Sequence, residues 1–188
     1  MLFRYGTDSH GRLIKKAVVY TQNEHSISIK NIDPDALQII NRLRDAGYAA
    51  YIVGGAVRDL IVGNKPKDFD IVTDATPSKI KKIIRNSRII GRRFRLVHVV
   101  FGSKIFEVST FRSNAEGSVG NVFGTIEEDV QRRDFTMNSI AVDLKDGKIV
   151  DPYGGQKDIK RKLIRTVGDA YDRFMEDGLR PIRALRFA

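Results

Sequence analysis

The chain has 188 residues and no cysteine, and its 33 Lys and Arg outnumber its 23 Asp and Glu, which gives a formal net charge of +10. The lack of cysteine excludes disulfides and thiolate metal sites and fits a reducing compartment, and no apolar run approaches the roughly 20 residues that span a bilayer. The N-terminus has no apolar signal core, so we expect a soluble, cytoplasmic protein whose basic surface either suits a polyanion such as RNA or has no such partner.

The first predicted helix follows a segment with few chemical features. Ala17–Tyr20 and Ser26–Ile29 have the composition of short strands or of an extended arm. Asp33 can cap a helix, Pro34 fits its first turn and Gly47 fits its end. We therefore predict a helix over residues 33–47 that packs against a sheet.

Residues 51–75 combine features that suit a nucleoside triphosphate. Tyr51–Val53 is predicted as a strand, and Gly54, Gly55 and a short helix carrying Arg58 follow it. Glycines let backbone N–H groups approach phosphate oxygens, and a helix N-terminus favours negative charge. Arg58 adds a forked cation. A glycine pair alone would most often mark a turn.

Two carboxylates open the next predicted strand, Phe69–Thr73. Asp68 and Asp70 are two residues apart, so on a strand their side chains point the same way. Paired carboxylates form an oxygen site for Mg²⁺, which keeps its other positions for water and phosphate. Two magnesium ions held in this way clamp both oxygens of an in-line displacement at phosphorus. The alternative is a pair of solvated surface carboxylates.

The next segment is strongly basic. Thr76 and Pro77 start a predicted helix that runs to about Asn86. Its polar face is either solvated or turned towards RNA, and consists of Lys79, Lys81, Lys82 and Arg85. A second cluster either binds phosphate or is only exposed, and consists of Arg92, Arg93 and Arg95. Residues 88–90 and 96–101 are predicted strands, and His98 within the second is predicted to be a packed core residue.

Glu107 lies among apolar neighbours in a predicted strand over Lys104–Phe111. A carboxylate in such a position is costly unless it is paired or bound to metal. If this strand lies beside the one that carries Asp68 and Asp70, Glu107 is the third carboxylate of the site. The alternative is an exposed Glu on an edge strand. Residues 112–124 are rich in Ser, Gly and Asn and are predicted as a loop.

The segment Thr125–Asp143 contains the sequence RRDFTMN. Thr125 and Glu128 have capping-box spacing. Taken alone, Arg133 and Asp134 would form an ordinary local ion pair. Downstream, Asp146 and Gly147 predict the turn of a hairpin, and residues 157–162 are predicted to be helical.

The C-terminal segment EDGLRPIRALRFA is predicted as a helix. Asp177 and Arg180 are three residues apart and would share a helix face, where an acceptor and a donor can hydrogen-bond the edge of a base. The alternative is a salt bridge on a solvated face. Arg183 and Arg186 continue the stripe and could reach phosphates.

Together these motifs resemble the class II nucleotidyltransferases of the DNA polymerase beta superfamily, which comprise tRNA CCA-adding enzymes and bacterial poly(A) polymerases. The residues that carry the resemblance are GGAVRD, KPKDFDIVTDATP, RRDFTMNSIAVD and EDGLRPIRALRFA. One departure concerns Gly178, which stands where the family commonly has Pro. Pro181 follows three residues later. Because proline is tolerated best in the first turn, the last helix is predicted to begin near Leu179.

The resemblance implies a role for each motif. The triphosphate is held by Gly54, Gly55, Arg58 and Arg133. Asp134 contacts the ribose, Asn138 holds the loop, and Asp177 with Arg180 selects ATP or CTP without a template. Asp68 and Asp70 bind the two magnesium ions, with Glu107 activating the attacking hydroxyl.

The resemblance also implies an α/β fold, with a small mixed sheet and helices packed on one of its faces. We expect an N-terminal arm (residues 1–32), a nucleotidyltransferase head (33–167) and the start of a helical neck (168–188). Because family members continue into further helical regions that hold RNA, we expect this chain to be a fragment of a longer protein.

The resemblance predicts that the protein adds nucleotides to an RNA 3′ end, and the poly(A) polymerase branch is favoured. Both IIGRRFRLVHVVFG and the lead-in HSISIKNIDPDAL are similar to bacterial poly(A) polymerases. The alternative is CCA addition to tRNA with CTP and ATP. An alternative from another class is an inactive module that binds nucleotide or RNA.

Overall fold

The computed structural model describes residues 1–91, 95–112 and 125–188. Arg92 and Arg93 of the second basic cluster and residues 113–124 of the predicted loop lie outside this part. The described strands are β1 (Leu2–Thr7), β2 (Leu13–Tyr20), β3 (Ala50–Val53), β4 (Asp70–Thr73), β5 (Ser87–Ile90), β6 (Leu96–Phe101), β7 (Lys104–Thr110), β8 (Ala141–Asp143) and β9 (Lys148–Asp151). The described α-helices are α1 (Pro34–Asp45), α2 (Gly55–Ile61), α3 (Pro77–Ile83), α4 (Ile126–Gln131), α5 (Gly155–Lys160), α6 (Ala170–Glu176) and α7 (Leu179–Phe187).

All the described strands join one mixed sheet, in the order β1-β2-β9-β8-β3-β4-β7-β6-β5. The β4–β7 pair is parallel and the other pairs are antiparallel. The predicted α/β class is confirmed, and the sheet is larger than the small one expected. Because β4 pairs directly with β7, the strands that carry Asp70 and Glu107 are neighbours.

Two apolar cores cover opposite faces of the sheet. The first contains Ile52, Ile71 and Val108 packed against α1, α2 and α3. The second contains Val53 and Val72, next to Ile52 and Ile71 in the chain and therefore on the opposite face, packed against Ile126 and Val130 of α4. The expectation that helices pack on one face only is therefore wrong for α4.

Several helices and turns begin where the capping and turn residues of the sequence predict them. The Asp33 side chain accepts a hydrogen bond from the Asp35 backbone N–H at 2.8 Å, which caps α1. Thr125 and Glu128 form both bonds of a capping box at the start of α4. The chain turns between β8 and β9 around Asp146 and Gly147, as predicted.

The N-terminal residues belong to the sheet. β1 pairs with β2, and β2 pairs with β9. The strand alternative is thus confirmed for Ala17–Tyr20, whereas Ser26–Ile29 forms no strand. The division into an arm, a head and a neck at residues 32 and 167 stays a prediction.

His98 is the clearest departure in the core. Its neighbours Val97 and Val99 are fully buried in the first core, so His98 points to the opposite face, where it is half-buried. The prediction of a packed core histidine is therefore wrong. Within the described ranges, no helix is long and apolar enough to cross a membrane.

Candidate active site

A cavity of about 1030 Å³ opens where β3, β4 and β7 meet the helix α2 and the C-terminal helix α7. It is lined by every predicted site residue except Asp177 and Arg180, namely Gly54, Gly55, Arg58, Asp68, Asp70, Glu107, Arg133, Asp134, Arg183 and Arg186. Further cations complete its wall, namely Lys65, Lys67, Arg112 and Arg132. A cavity with this many cations around a few carboxylates suits a polyphosphate and its metal ions.

The carboxylates come from adjacent strands. Asp70 is the register partner of Glu107 in the parallel β4–β7 pair. Asp68 directly precedes β4 and lines the same cavity. Glu107 was expected to be the third carboxylate only if its strand lies beside the strand of Asp70, and the β4–β7 pair has this arrangement. The catalytic role of Glu107 stays a prediction.

The pKa of Asp70 is raised. Burial is the main cause; the nearby Arg133 guanidinium opposes it, and the charges of Glu107 and Asp68 add to it. Asp70 is itself solvent-exposed at the start of β4, and an ionised carboxylate beside two others is stabilised by a bound cation. The donor set therefore fits a divalent metal ion.

The protein supplies only part of the ligands that a metal ion needs at this site. In the described ranges, no group of three or more His, Cys, Asp or Glu side chains could hold a metal ion by itself. Magnesium at phosphate-transfer sites usually has one or two carboxylate ligands, with water and substrate phosphate at the other positions. The pair Asp68 and Asp70 matches that incomplete donor set.

Gly54 lies between the carboxylates and a cation. Its φ of 74° and ψ of −139° favour glycine. A Cβ atom there would lie 3.1 Å from Nη1 of Arg133 and 3.4 Å from Oδ2 of Asp70. The missing side chain is thus what lets Arg133 and Asp70 approach the end of β3.

Arg58 is fixed from three sides. Its Nη2 donates to Oδ1 of Asp59 at 2.8 Å, and its Nη1 donates to Oδ1 of Asn138 at 3.0 Å. Its guanidinium carbon lies 4.9 Å from the ring centroid of Phe187. Asn138 also donates to Oδ1 of Asp134 at 3.2 Å, so it links the first motif to the second.

Two residues that the sequence analysis did not single out hold the second motif. The fully buried Asp129 accepts from Nη2 of Arg132 and Nη2 of Arg133, both at 3.2 Å. Arg173 of α6 donates from Nη2 to the backbone carbonyls of Arg132 and Arg133 at 2.9 Å and 2.7 Å. The spacing of three and four residues between Asp129 and the arginines is the signal that could have identified the first of them.

The third motif differs from the prediction. The helix α7 begins at Leu179 as expected, but α6 ends at Glu176 and Asp177 lies in the turn between them. The expectation that Asp177 and Arg180 share a helix face is therefore wrong. Asp177 instead pairs with Nη2 of Arg183 at 3.0 Å, and Arg180 donates from Nη1 to Oε2 of Glu176 at 2.7 Å.

The C-terminal helix also closes the cavity. Nε of Arg183 lies 3.4 Å from Oδ2 of Asp134. Phe187 packs edge to face on Phe135, with ring centroids 6.0 Å apart. The predicted contacts of Asp134 with a ribose and of Asp177 and Arg180 with a base are not tested by these contacts and stay predictions.

Comparison with known proteins identifies similar chains. Residues 50–165 match the family model described as the poly(A) polymerase head domain. Poly(A) polymerase I of Escherichia coli O6:H1 is 47% identical over 92% of this chain and 41% of its own length. The CCA-adding enzyme of Geobacillus stearothermophilus is 46% identical over 81% of this chain and 39% of its own length. The chain thus spans about two fifths of the length of these curated relatives.

Solved structures show the same architecture. The Bacillus stearothermophilus CCA-adding enzyme in complex with CTP aligns with a TM-score of 0.74 at 47% identity, over 83% of this chain and 39% of that one. The Thermotoga maritima CCA-adding enzyme complexed with tRNA_CCA aligns with a TM-score of 0.71 at 26% identity, over 90% of this chain and 41% of that one.

Proposed function

The chain belongs to the family of the poly(A) polymerase head domain, and from this premise we propose that it is the catalytic head of a template-independent RNA nucleotidyltransferase. The 3′-hydroxyl oxygen of RNA attacks the α-phosphorus of ATP. The bond from that phosphorus to the bridging oxygen breaks, pyrophosphate leaves, and AMP is added to the RNA. The observation that carries this proposal is the pairing of Asp70 with Glu107 across β4 and β7, in one cavity with Arg133.

The carboxylates and the cations have different roles in the proposed reaction. Asp68 and Asp70 would hold two magnesium ions, which when bound supply charge to the attacking and leaving oxygens. Glu107 accepts the proton of the attacking hydroxyl. The triphosphate is bound by Arg58 and Arg133 beside Gly54 and Gly55, with Arg186 contributing charge from α7. Positioning and charge stabilisation then supply most of the rate enhancement.

The nucleoside is held by the second and third motifs. Asp134 binds the ribose, next to Asn138 and Arg183, which already contact it. Asp177, in the turn before α7, and Arg180, in the first turn of α7, select the base. Since Asp177 is paired with Arg183, binding a base there requires that Asp177 exchange this bond for one to the base.

Addition of AMP is favoured over CCA addition. The poly(A) polymerase I relative matches 92% of this chain, and the CCA-adding relative at nearly the same identity matches 81%. The solved structures leave CCA addition as the second candidate, because one of the most similar was determined with CTP. A cytoplasmic location is part of the proposal, and the absence of cysteine supports it.

The test uses the full-length protein that contains this chain. A labelled oligoadenylate and a tRNA without its CCA end are incubated with magnesium and with ATP, CTP or both. We expect a long ladder with ATP alone, and Asp70→Ala as control should give none. Addition of C, C and A that then stops would assign the CCA reaction instead. Binding of magnesium and ATP that survives Asp70→Ala, without extension of either RNA, would favour an inactive binding module.

A further inference from the structure

A row of polar side chains leads from the carboxylates to one edge of the sheet. Across β4, β7, β6 and β5, Asp70 is paired with Glu107, Glu107 with His98, and His98 with Arg88. Neighbouring strands lie about 4.8 Å apart. The row therefore extends about 10 Å beyond Glu107, ending at Arg88.

The described helices do not cover this part of the sheet. The helices α1–α3 pack on the opposite face with Val97 and Val99. Among the residues that the structure describes, the second core, under α4, includes none from β5, β6 or β7. His98 is half-buried and Arg88 is exposed.

Exposed apolar side chains flank the polar row. Ile90, Val100 and Ile105 lie two residues from Arg88, His98 and Glu107 respectively, so they share its face. They are 41%, 38% and 60% exposed. A cation and a hydrogen-bonding ring between apolar side chains match the phosphates and bases of a single-stranded nucleic acid.

The direction of attack points to the same face. The proposed triphosphate ligands Gly54, Arg58 and Arg133 lie on the β3 side of Asp70, and β7 lies on its other side. In phosphoryl transfer the attacking and leaving oxygens are roughly in line. With pyrophosphate leaving towards the β3 side, the RNA 3′-hydroxyl has to arrive from β7.

We propose that this surface, formed by Arg88, Ile90, His98, Val100 and Ile105 and here called the primer face, binds the last nucleotides of the RNA. Arg88 binds a backbone phosphate. His98 hydrogen-bonds the sugar or phosphate beside the attacking hydroxyl, since a neutral imidazole offers both a donor and an acceptor. The apolar residues contact the bases. The inference rests on the proposed function, because the direction of attack does.

Steady-state kinetics on the full-length protein test it. Arg88→Ala and His98→Ala should each raise the KM for an oligoadenylate primer about tenfold, as expected for one lost hydrogen bond to a charged group, and leave the KM for ATP within about twofold. His98→Gln keeps a side-chain donor and should restore most of the primer affinity. The matched control is Lys145→Ala, an exposed cation in the turn between β8 and β9, which should change neither value.

Salt dependence isolates the phosphate contact. For single-stranded RNA, the slope of log K against log salt changes by about 0.7 for each phosphate neutralised. Arg88→Ala should lower the slope by this amount, and His98→Gln should not. An unchanged primer KM and slope in Arg88→Ala would overturn the inference, and so would equal rises in the KM of ATP and primer.

Crosslinking separates this inference from the proposed function. An RNA with 4-thiouridine next to its 3′ end should crosslink within residues 87–90 of β5 or 96–101 of β6. A wild-type protein that forms this crosslink but extends no RNA would refute the proposed reaction and retain the primer face. A protein that extends RNA but crosslinks only elsewhere, for example on α3, would refute the primer face and retain the reaction.

Discussion

Gly54 is the position at which a single methyl group should test the geometry of the site. The backbone of Gly54 has φ 74°, and an added Cβ would lie 3.1 Å from Nη1 of Arg133 and 3.4 Å from Oδ2 of Asp70. Gly54→Ala therefore has two effects: it strains the backbone, and it pushes the cation away from the end of β3. Gly47 provides the matched control, because its φ is 87° and an added Cβ would meet nothing within 4 Å.

The two effects differ in size and in what they change. A residue held in an unfavourable backbone region costs about 1–3 kcal/mol, which for a chain of this size lowers Tm by roughly 2–12 °C. We expect this fall for both variants. A 1 Å misplacement in an active site can cost about 10²-fold in rate, and here Arg133 has to shift by a few tenths of an ångström. We therefore expect about a tenfold loss of kcat in Gly54→Ala alone.

The assay is extension of an oligoadenylate primer by the full-length protein with magnesium and ATP, at a temperature well below the Tm of both variants. Thermal denaturation without nucleotide measures the strain. Equal activity of Gly54→Ala and Gly47→Ala at equal loss of Tm would refute the idea that the absent side chain positions Arg133 and Asp70.

Three further predictions concern ionisable groups. Burial raises the pKa of Asp70, so the folded state loses stability as pH rises through that pKa; Asp70→Asn should raise Tm at neutral pH without metal and abolish the Tm gain from magnesium with ATP. Against the effect of burial, the hydrogen bond from Arg4 lowers the pKa of Glu127. Urea unfolding should therefore show that wild type loses more stability than Glu127→Gln as pH falls below the ordinary glutamate range. Arg173→Ala leaves two carbonyls of the second motif without this donor; chemical denaturation should show a loss of about 1–3 kcal/mol, with a higher KM for ATP.

Each of these has an outcome that would contradict it. A lower Tm for Asp70→Asn in metal-free buffer would mean that the ionised carboxylate stabilises the fold. Parallel pH profiles for Glu127→Gln and wild type would remove Arg4 as a stabilising partner. For Arg173, a stability loss with an unchanged KM for ATP would limit its role to the fold, because a residue that positions Arg133 has to affect nucleotide binding.

The sequence predicted those parts of the fold whose signals are local. Asp33 before α1, the capping box of Thr125 and the glycine pair after β3 each act within a few residues. The sequence did not predict that β4 pairs with β7. It showed only that Glu107 can be the third carboxylate if the two strands are neighbours. This pairing joins residues 37 positions apart, 107 minus 70, and no local pattern encodes such a partner. His98 was misplaced for the same reason, since which face of a strand is covered depends on helices elsewhere in the chain.

The third motif shows where the resemblance was least informative. Its spacing predicts a helix through Asp177, but the chain turns there, and the Asp177 carboxylate accepts hydrogen bonds from the Leu179 N–H and from Arg183. Gly178 in place of the usual proline was the local sign of this difference. α6 was not predicted, although Asp169 caps it through Asp172 N–H at 3.1 Å.

The contacts of Arg133 explain why the second and third motifs have to be considered together. The Arg133 side chain forms an ion pair with Asp129, and its backbone carbonyl accepts a hydrogen bond from Arg173 of α6. Its neighbour Asp134 is held by Arg183 of α7. The residues that face the proposed triphosphate are therefore fixed partly by the two C-terminal helices. Since Arg58 also lies against Phe187, movement of α7 relative to the sheet would change the contacts of Arg58 and of Asp134 at once. The position of these two helices is thus the structural variable that links the third motif to the proposed triphosphate site.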